Sequence, residues 1–562
     1  MRYWKALAFC QQNLSCDAWK AVSLDQFSHA LGCTRRNSQL LIKRLIKEDI
    51  IEWKPGIGRG NLPTSRRLKD VNQRLTRQAE HLVKQGQVES ALSLIDSSKR
   101  NQFLSDYLEQ YQTSQKKAHI LQIPFYRGTH DLDPIGINRR TEQHIADYLY
   151  ANLLKANPNG QGFQGDLAQS WKLVGNTLSI TLRKSLYFHD GSPLHAGDVK
   201  AHFERLMASN SVSKQMFRFI EQVIVKDTYS IDFVSYSLPN LMPKLLTKGA
   251  MGICKQVDDK IYGSGSFILT EQTPWITRLK ANPRYHGYRP WIDGIEIWNI
   301  GDKAKEFEPN SDVVHGSHLK QNREGFTHYH QWEQGCVHSM LNPYRHPWMN
   351  KRSHRHWLQR VLCSMPSPQD SDCEEITQAS GMISSPKSLR FKEAQTKLYD
   401  VQTKPSPPLI VMTYQLATHI AVSQQVVTTL KNRGIPCEFK ILPYPDFNQE
   451  ETLTNADIII TGEVFSEDIE MAWLGWFLST NSNEACLNDK DKAKRDQQII
   501  DIMSRSTSRG RLRGFETLEK NWIKKGIYQP LYHVKQDLNI SDKISAPELL
   551  ANGWIDFNQI TM

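Results

Sequence analysis

Nowhere in these 562 residues is there an apolar run of about 18, the length a membrane-crossing helix needs, so no membrane partner is expected. The opening MRYWKALAFCQQN turns polar beyond Phe9, too early for a secretory leader, which gives a cytoplasmic expectation. Cysteine is sparse: nine residues (Cys10, Cys16, Cys33, Cys254, Cys336, Cys363, Cys373, Cys437, Cys486), odd in number, scattered and without a CxxC pair. That excludes a disulfide framework and predicts reduced thiols. Catalytic spacings are missing too, with no GxSxG, no phosphate-loop lysine motif, no HExxH and no convincing carboxylate pair. The expectation is a protein that is not an enzyme and uses no cofactor.

What is present is size and an uneven charge. The chain is too long for one ordinary core and predicts two or three domains. Its net charge is +11, yet residues 1–117 hold 20 Lys+Arg against 11 Asp+Glu, and the remaining 445 are almost neutral. A basic module facing nucleic acid, attached to a neutral one, follows from that asymmetry.

The basic module has a pattern. Leu24, Phe27, Ala30 and Leu31 recur at helical spacing, Gly32 stops that helix, and Thr34 is placed to cap the next. In the second helix Leu41, Leu45 and Ile46 form the expected apolar stripe, leaving Arg35, Arg36, Asn37 and Gln39 outside. A hairpin follows, with Ile51 and Trp53 alternating against Glu52 and Lys54 before a turn through Pro55, Gly56, Gly58, Arg59 and Gly60. Helix, short turn, helix and basic wing in this order predict a winged helix-turn-helix over 1–65 that binds double-stranded promoter DNA. The helix start, Thr34 to Gln39 with Ser38 included, is expected at the groove. Arg35, Arg36, Asn37 and Gln39 suit base edges, while Lys43, Lys54, Gly58, Arg59, Arg66 and Arg67 suit phosphates. The plainer alternative is a three-helix domain with a solvated basic face.

From 66 to 117 proline disappears, and Leu75, Leu82, Ala91, Leu92, Phe103, Leu104 and Leu108 predict two or three helices. This linker either dimerises the chain or simply packs beside the winged domain. A boundary is expected near 114–119, before the strand-like ILQIPFY.

Residues 118–562 open with DLDPIGINRRTEQHIADYL and carry LAQSW at 167–171, LRKSLYFHDG at 182–191, YGSGSFILTE at 262–271 and NPRYHGYRPWIDGIEIW at 282–298. In order and spacing these segments are similar to the extracytoplasmic solute-binding proteins of family 5, with Ser266 where that family usually has proline. The resemblance implies a two-lobed periplasmic-binding-protein-like α/β domain, with one lobe from 118–300 plus 475–562 and the other from 301–474. On that fold Arg139, Arg140, Glu142 and His144 would border the cleft from one lobe, and Asn342, Glu463, Phe465 and Asp468 from the other. Eight of the nineteen histidines fall between His315 and His356, including HxH at 328–330 and 354–356. No carboxylate or cysteine follows at ligand spacing, so no metal site is expected.

A winged helix joined to a family 5 domain in one chain resembles the SgrR family of transcriptional regulators. Thr34 to Ser38, the wing from Trp53 to Gly60 and RRTEQHI at 139–145 carry the match. The resemblance implies a multidomain α/β regulator of sugar-stress or transport genes, responding to a small solute such as a sugar phosphate, with homodimerisation left open. The rival is a cytoplasmic oligopeptide or solute carrier whose amino-terminal module binds a protein partner.

Overall fold

The computed structural model describes residues 1–56, 61–111, 119–125, 127–137, 139–157, 162–301, 313–315, 324–366, 376–383, 403–545, 550 and 553–562. Helices α1 (Arg2–Asn13), α2 (Leu24–Leu31) and α3 (Arg35–Lys47) pack beside a small sheet of order β1-β3-β2, made of β1 (Lys20–Ala21), β2 (Ile51–Lys54) and β3 (Thr64–Arg67). Local chemistry sets the boundaries. Ser23 accepts from the Gln26 amide while the Gln26 side chain accepts from the Ser23 amide, a reciprocal cap that starts α2. Gly32, at φ 56°, ends it, and Thr34 accepts from the Asn37 amide at 3.4 Å to start α3. Antiparallel pairing of Glu52 with Arg66 and of Trp53 with Ser65 forms the wing; its tip, with Gly58 and Arg59, lies outside the described residues.

The segment expected as a linker folds as α4 (Asn72–Lys84), α5 (Val88–Leu92) and α6 (Arg100–Tyr111). These helices are a wall of the winged domain: Leu75, Ala79, Leu82, Leu104 and Leu108 share one apolar core with Leu7, Phe27 and Leu45. The same core continues into Ile276, Trp298 and Ile300 of the following domain, where Tyr107 and Trp298 lie 6.5 Å apart between ring centroids. Arg100 sits over Trp275, and the Asn101 side chain presses on Gly301, whose φ of 61° and missing Cβ make room for it.

Three sheets organise the rest. β4 (Ile120–Phe125) runs parallel to Gly294–Asn299, which continues antiparallel into Ile276–Ala281 and Phe267–Gln272. A second sheet has the strands Ala168–Val174, Thr177–Leu182, Ser230–Val234 and Gln222–Val225 in that order. The third is built on Gly335–Leu341, Ile458–Val464, Leu409–Tyr414 and Cys437–Leu442. The long strand Tyr528–Ser541 joins two environments, pairing first with Gly335–Leu341 and later with Phe326–Trp332. Residues 554–562 then pack with β4 and Gly294–Asn299. The expected return at 475 thus falls within helix Ile469–Leu478, and the pairing changes side only within 528–541.

Candidate functional site

Helix α3 turns Ile42, Leu45 and Ser38 inward. Ser38 is fully buried, 2.9 Å from the Ser28 hydroxyl and 3.2 Å from the Cys33 sulfur, so it holds the two helices together rather than meeting a groove. Ile42 replaces Ile46 in the expected stripe, because Ile46 is left exposed. Thr34, Arg35, Arg36, Gln39 and Lys43 are exposed on the outer side, with Asn37 half-buried. Arg35 pairs with Asp25, and both are largely solvated, so phosphate can compete for the guanidinium. On the wing, Lys54 and Arg66 lie over the Trp19 ring at 3.9 and 5.1 Å, and Arg66 is 2.8 Å from Glu52. Arg67 faces the other way, bonding Gln11, and is a structural residue rather than a phosphate contact.

A cavity of about 1100 Å³ opens between the lobes of the larger domain. Helix α7 (Arg140–Leu149) contributes Arg140, His144 and Asp147 to its wall, one helical face at spacings of four and three. Arg139, just before the helix, is 3.0 Å from Glu142 and stands over Tyr444 at 4.9 Å. Glu142 is buried behind that arginine, where it also accepts from the His130 amide, and is not part of the wall. Arg140 pairs with Glu333 in the cavity wall, and beyond the lining Lys244 pairs with Asp468 at 3.2 Å and Glu470 at 3.0 Å.

Charge in the cavity falls into two groups. Arg139 and Arg127 line it beside Tyr444 and His419, with Arg140 near Glu463; Asp147, Lys248, Glu467 and Asp468 lie near one another. Asp147 faces the open volume yet is surrounded by protein, and this desolvation, with Glu467 nearby and against the pull of Lys248, raises its carboxyl to about 7. Burial likewise raises Glu463 to about 7, against the Val464 amide and Arg140. His419 is pushed down to about 3 by burial and then by His338 and Arg127, so its imidazole is neutral.

Glu463, Phe465 and Asp468 border the cavity, although Phe465 is packed edge-on against Trp473 and Asp468 also caps the helix that follows, accepting from the Met471 amide. His144 touches the wall but is packed among Tyr148, Trp554 and Phe557. Asn342 does not line the cavity: its side chain caps a turn, accepting from the Tyr344 amide and donating to the Thr454 carbonyl.

Among the described residues no set of three metal-ligating side chains converges, and His338, His346, His354 and His356 each bond a backbone carbonyl. His318 and the side chains of His315 and His330 lie outside the described residues. No helix among the described residues is long and apolar enough to cross a membrane.

Comparison with solved structures finds the larger domain's fold in a dipeptide-binding protein from Pseudoalteromonas sp. SM9913 in complex with Met-Leu, at TM-score 0.64 and 13% identity over 78% of this chain and 99% of that one. NikA from Brucella suis, in complex with Fe(III)-EDTA, gives TM-score 0.58 and 16% identity over 79% and 99%. At such identities the likeness concerns fold alone. Residues 162–308 match the family model for bacterial extracellular solute-binding proteins, family 5 (middle), and residues 7–118 the model for the N-terminus of the sugar transport-related sRNA regulator. The HTH-type transcriptional regulator SgrR of Photorhabdus laumondii is 23% identical over 95% of this chain and 94% of its own length. That of Yersinia enterocolitica is 21% identical over 95% and 94%. Over nearly its whole length this chain is similar to the SgrR regulators.

Among the cavity residues that motif reading missed are Arg127, Asp147, Lys248, Glu333, His419 and Tyr444. Asp147 was within reach, because it repeats the helical face of Arg140 and His144. The others arrive from separate strands and loops, and no local spacing marks them.

Proposed function

We propose that this chain is a cytoplasmic, DNA-binding transcriptional regulator whose cleft binds a small solute and thereby sets how the amino-terminal reader meets promoter DNA. The proposal divides the chain into a reader over 1–65, a helical connector over 66–117 and a two-lobed solute-binding domain over 118–562. The observation that carries it is the unbroken core running from Phe27 through Leu104 to Trp298, which mounts an exposed basic helix on one lobe of a binding cleft. A solute touching both lobes favours the closed form by its differential affinity, and a hundredfold preference supplies roughly 2.7 kcal/mol. With the reader held by the first lobe, the second lobe is the part left to move. One recognition helix reads only a few base pairs, so a homodimer on paired half-sites would supply the specificity a promoter demands.

Arg127, Arg139 and Arg140 support an anionic solute such as a sugar phosphate, which agrees with control of sugar-stress or transport genes. The carboxylates Asp147, Glu463, Glu467 and Asp468 on the same cavity favour a second reading, a ligand carrying both signs such as a peptide. Thermal-shift measurements against phosphorylated sugars, free sugars and peptides separate the two, since only the bound class raises the melting temperature. A peptide response alone would replace the solute and leave the regulator standing. Footprinting on the chain's own upstream region tests the regulator: no preference over scrambled duplex at moderate salt leaves only the rival, a solute carrier whose amino-terminal module binds a protein.

A further inference from the structure

The outer face of α3 carries one large apolar side chain among polar ones at its centre. Leu40 is 59% exposed, while Leu41 beside it is half-buried against the core and Ile42 and Leu45 are buried. At helical spacing Leu40 lies one turn beyond Arg36 and just under one turn before Lys43, with Gln39 adjacent, and all three neighbours are exposed. Contacts of α3 with α1, α2 and β2 use its other side. A single exposed leucine is ordinary on a protein surface, so the exposure alone carries nothing. Its position does. The first two turns of the second helix face base edges when a helix-turn-helix docks, and Leu40 stands in the second turn between side chains suited to that groove. In the major groove the apolar group offered by the bases is the thymine 5-methyl.

We propose that Leu40 reads a thymine through its 5-methyl group, acting as a specificity residue beside Arg36 and Gln39. The inference rests on the DNA-reading function proposed above. Water leaves both the leucine and the methyl on docking, whereas cytosine presents an amino group that Leu40 cannot pair. Discrimination therefore comes from apolar burial and is independent of salt, unlike the contribution of Lys43.

The test uses the full-length protein to enrich sites from a pool of random duplexes. Each thymine of the enriched motif is then replaced by deoxyuridine, which removes only the methyl. At one position per bound reader this should weaken the wild-type protein about threefold to fivefold, the effect of one buried methyl. Leu40→Ala, checked by its melting temperature to be folded, should bind the thymine and uracil duplexes equally and keep the wild-type salt slope. Uracil duplexes that all bind as tightly as their parents, or a Leu40→Ala protein that retains the thymine preference, would overturn the inference and leave the reader intact. Normal duplex binding by Leu40→Ala with loss of promoter activation would overturn it as well, placing the side chain against a protein. Failure of the selection to enrich any motif would instead remove the reader function, and Leu40's role with it.

Discussion

Arg66 and Arg67 are neighbours in one strand with different surroundings, because successive strand residues face opposite sides. Arg66 lies on the wing surface beside Glu52 and Trp19, whereas Arg67 is turned towards Gln11 and Asp70. Arg66→Ala should weaken binding to specific and random duplex alike and flatten the salt dependence, while Arg67→Ala should leave affinity unchanged and cost about 1 kcal/mol of stability. Titration in the presence of salt and a thermal melt distinguish them. Arg36→Ala should act differently from both, relaxing sequence preference more than it lowers affinity for random DNA. In the cavity, Glu463 has its carboxyl raised to about 7, chiefly by burial. Between the ordinary carboxylate value, roughly 4, and 7 the folded protein keeps a proton that the unfolded chain has released, so this group's contribution to stability falls as pH rises through that window. Glu463→Gln should therefore melt about 1–2 °C above the wild type at pH 8 and coincide with it at pH 4. A wild-type advantage at pH 8 would contradict the assignment.

Gly32 shows what an element boundary asks of one residue. Its φ of 56° lies in the left-handed region, and no atom would meet an added Cβ within 4 Å, so Gly32→Ala costs only the backbone term of about 1 kcal/mol. Gly32→Asn should cost less, and paired thermal melts check the order. The same boundary explains why the helix-turn-helix was legible in the sequence: Ser23, Gly32 and Thr34 act on backbone groups within a turn of themselves. Which side chain fills the core depends on partners farther away. Ser38 looked like a groove residue, yet its hydroxyl meets Ser28, and Ile42 rather than Ile46 turns inward against the other elements of the reader. The cavity follows the same division. Arg139, Arg140 and His144 could be placed because the resembling fold sets the start of α7 beside its cleft, but Tyr444, His419 and Lys248 join them from about 100 to 300 residues away. Asn342 failed for the same reason, since its partner at Thr454 makes it a turn cap in another part of the domain.

At the scale of the molecule, signalling depends on where the chain can and cannot bend. A connector of free helices could transmit closure by swinging, but α6 is packed from Phe103 to Leu108 into the core that also holds Ile276, Trp298 and Ile300. Close packing transmits displacement instead of absorbing it, so the reader and the first lobe should move as one body when the second lobe closes. The Tyr107–Trp298 contact is the aromatic joint of that body, and Tyr107 is 5% exposed. Loosening it should spare both binding sites and damage only what passes between them. Tyr107→Ala should thus bind the solute and the duplex with affinities within about twofold of wild type, while the factor by which solute changes duplex affinity falls towards one. Coupling of this kind is typically about 1–3 kcal/mol, or about five- to 150-fold, so its loss is measurable by fluorescence anisotropy with and without saturating solute. Leu75→Ala provides the contrast, because it opens the same core where the connector meets the reader, away from the joint; it should lower stability by about 2–5 kcal/mol and leave the coupling factor unchanged in the protein that remains folded. Equal coupling in Tyr107→Ala and wild type would show that the signal does not cross this joint and must travel through the second lobe or a partner subunit.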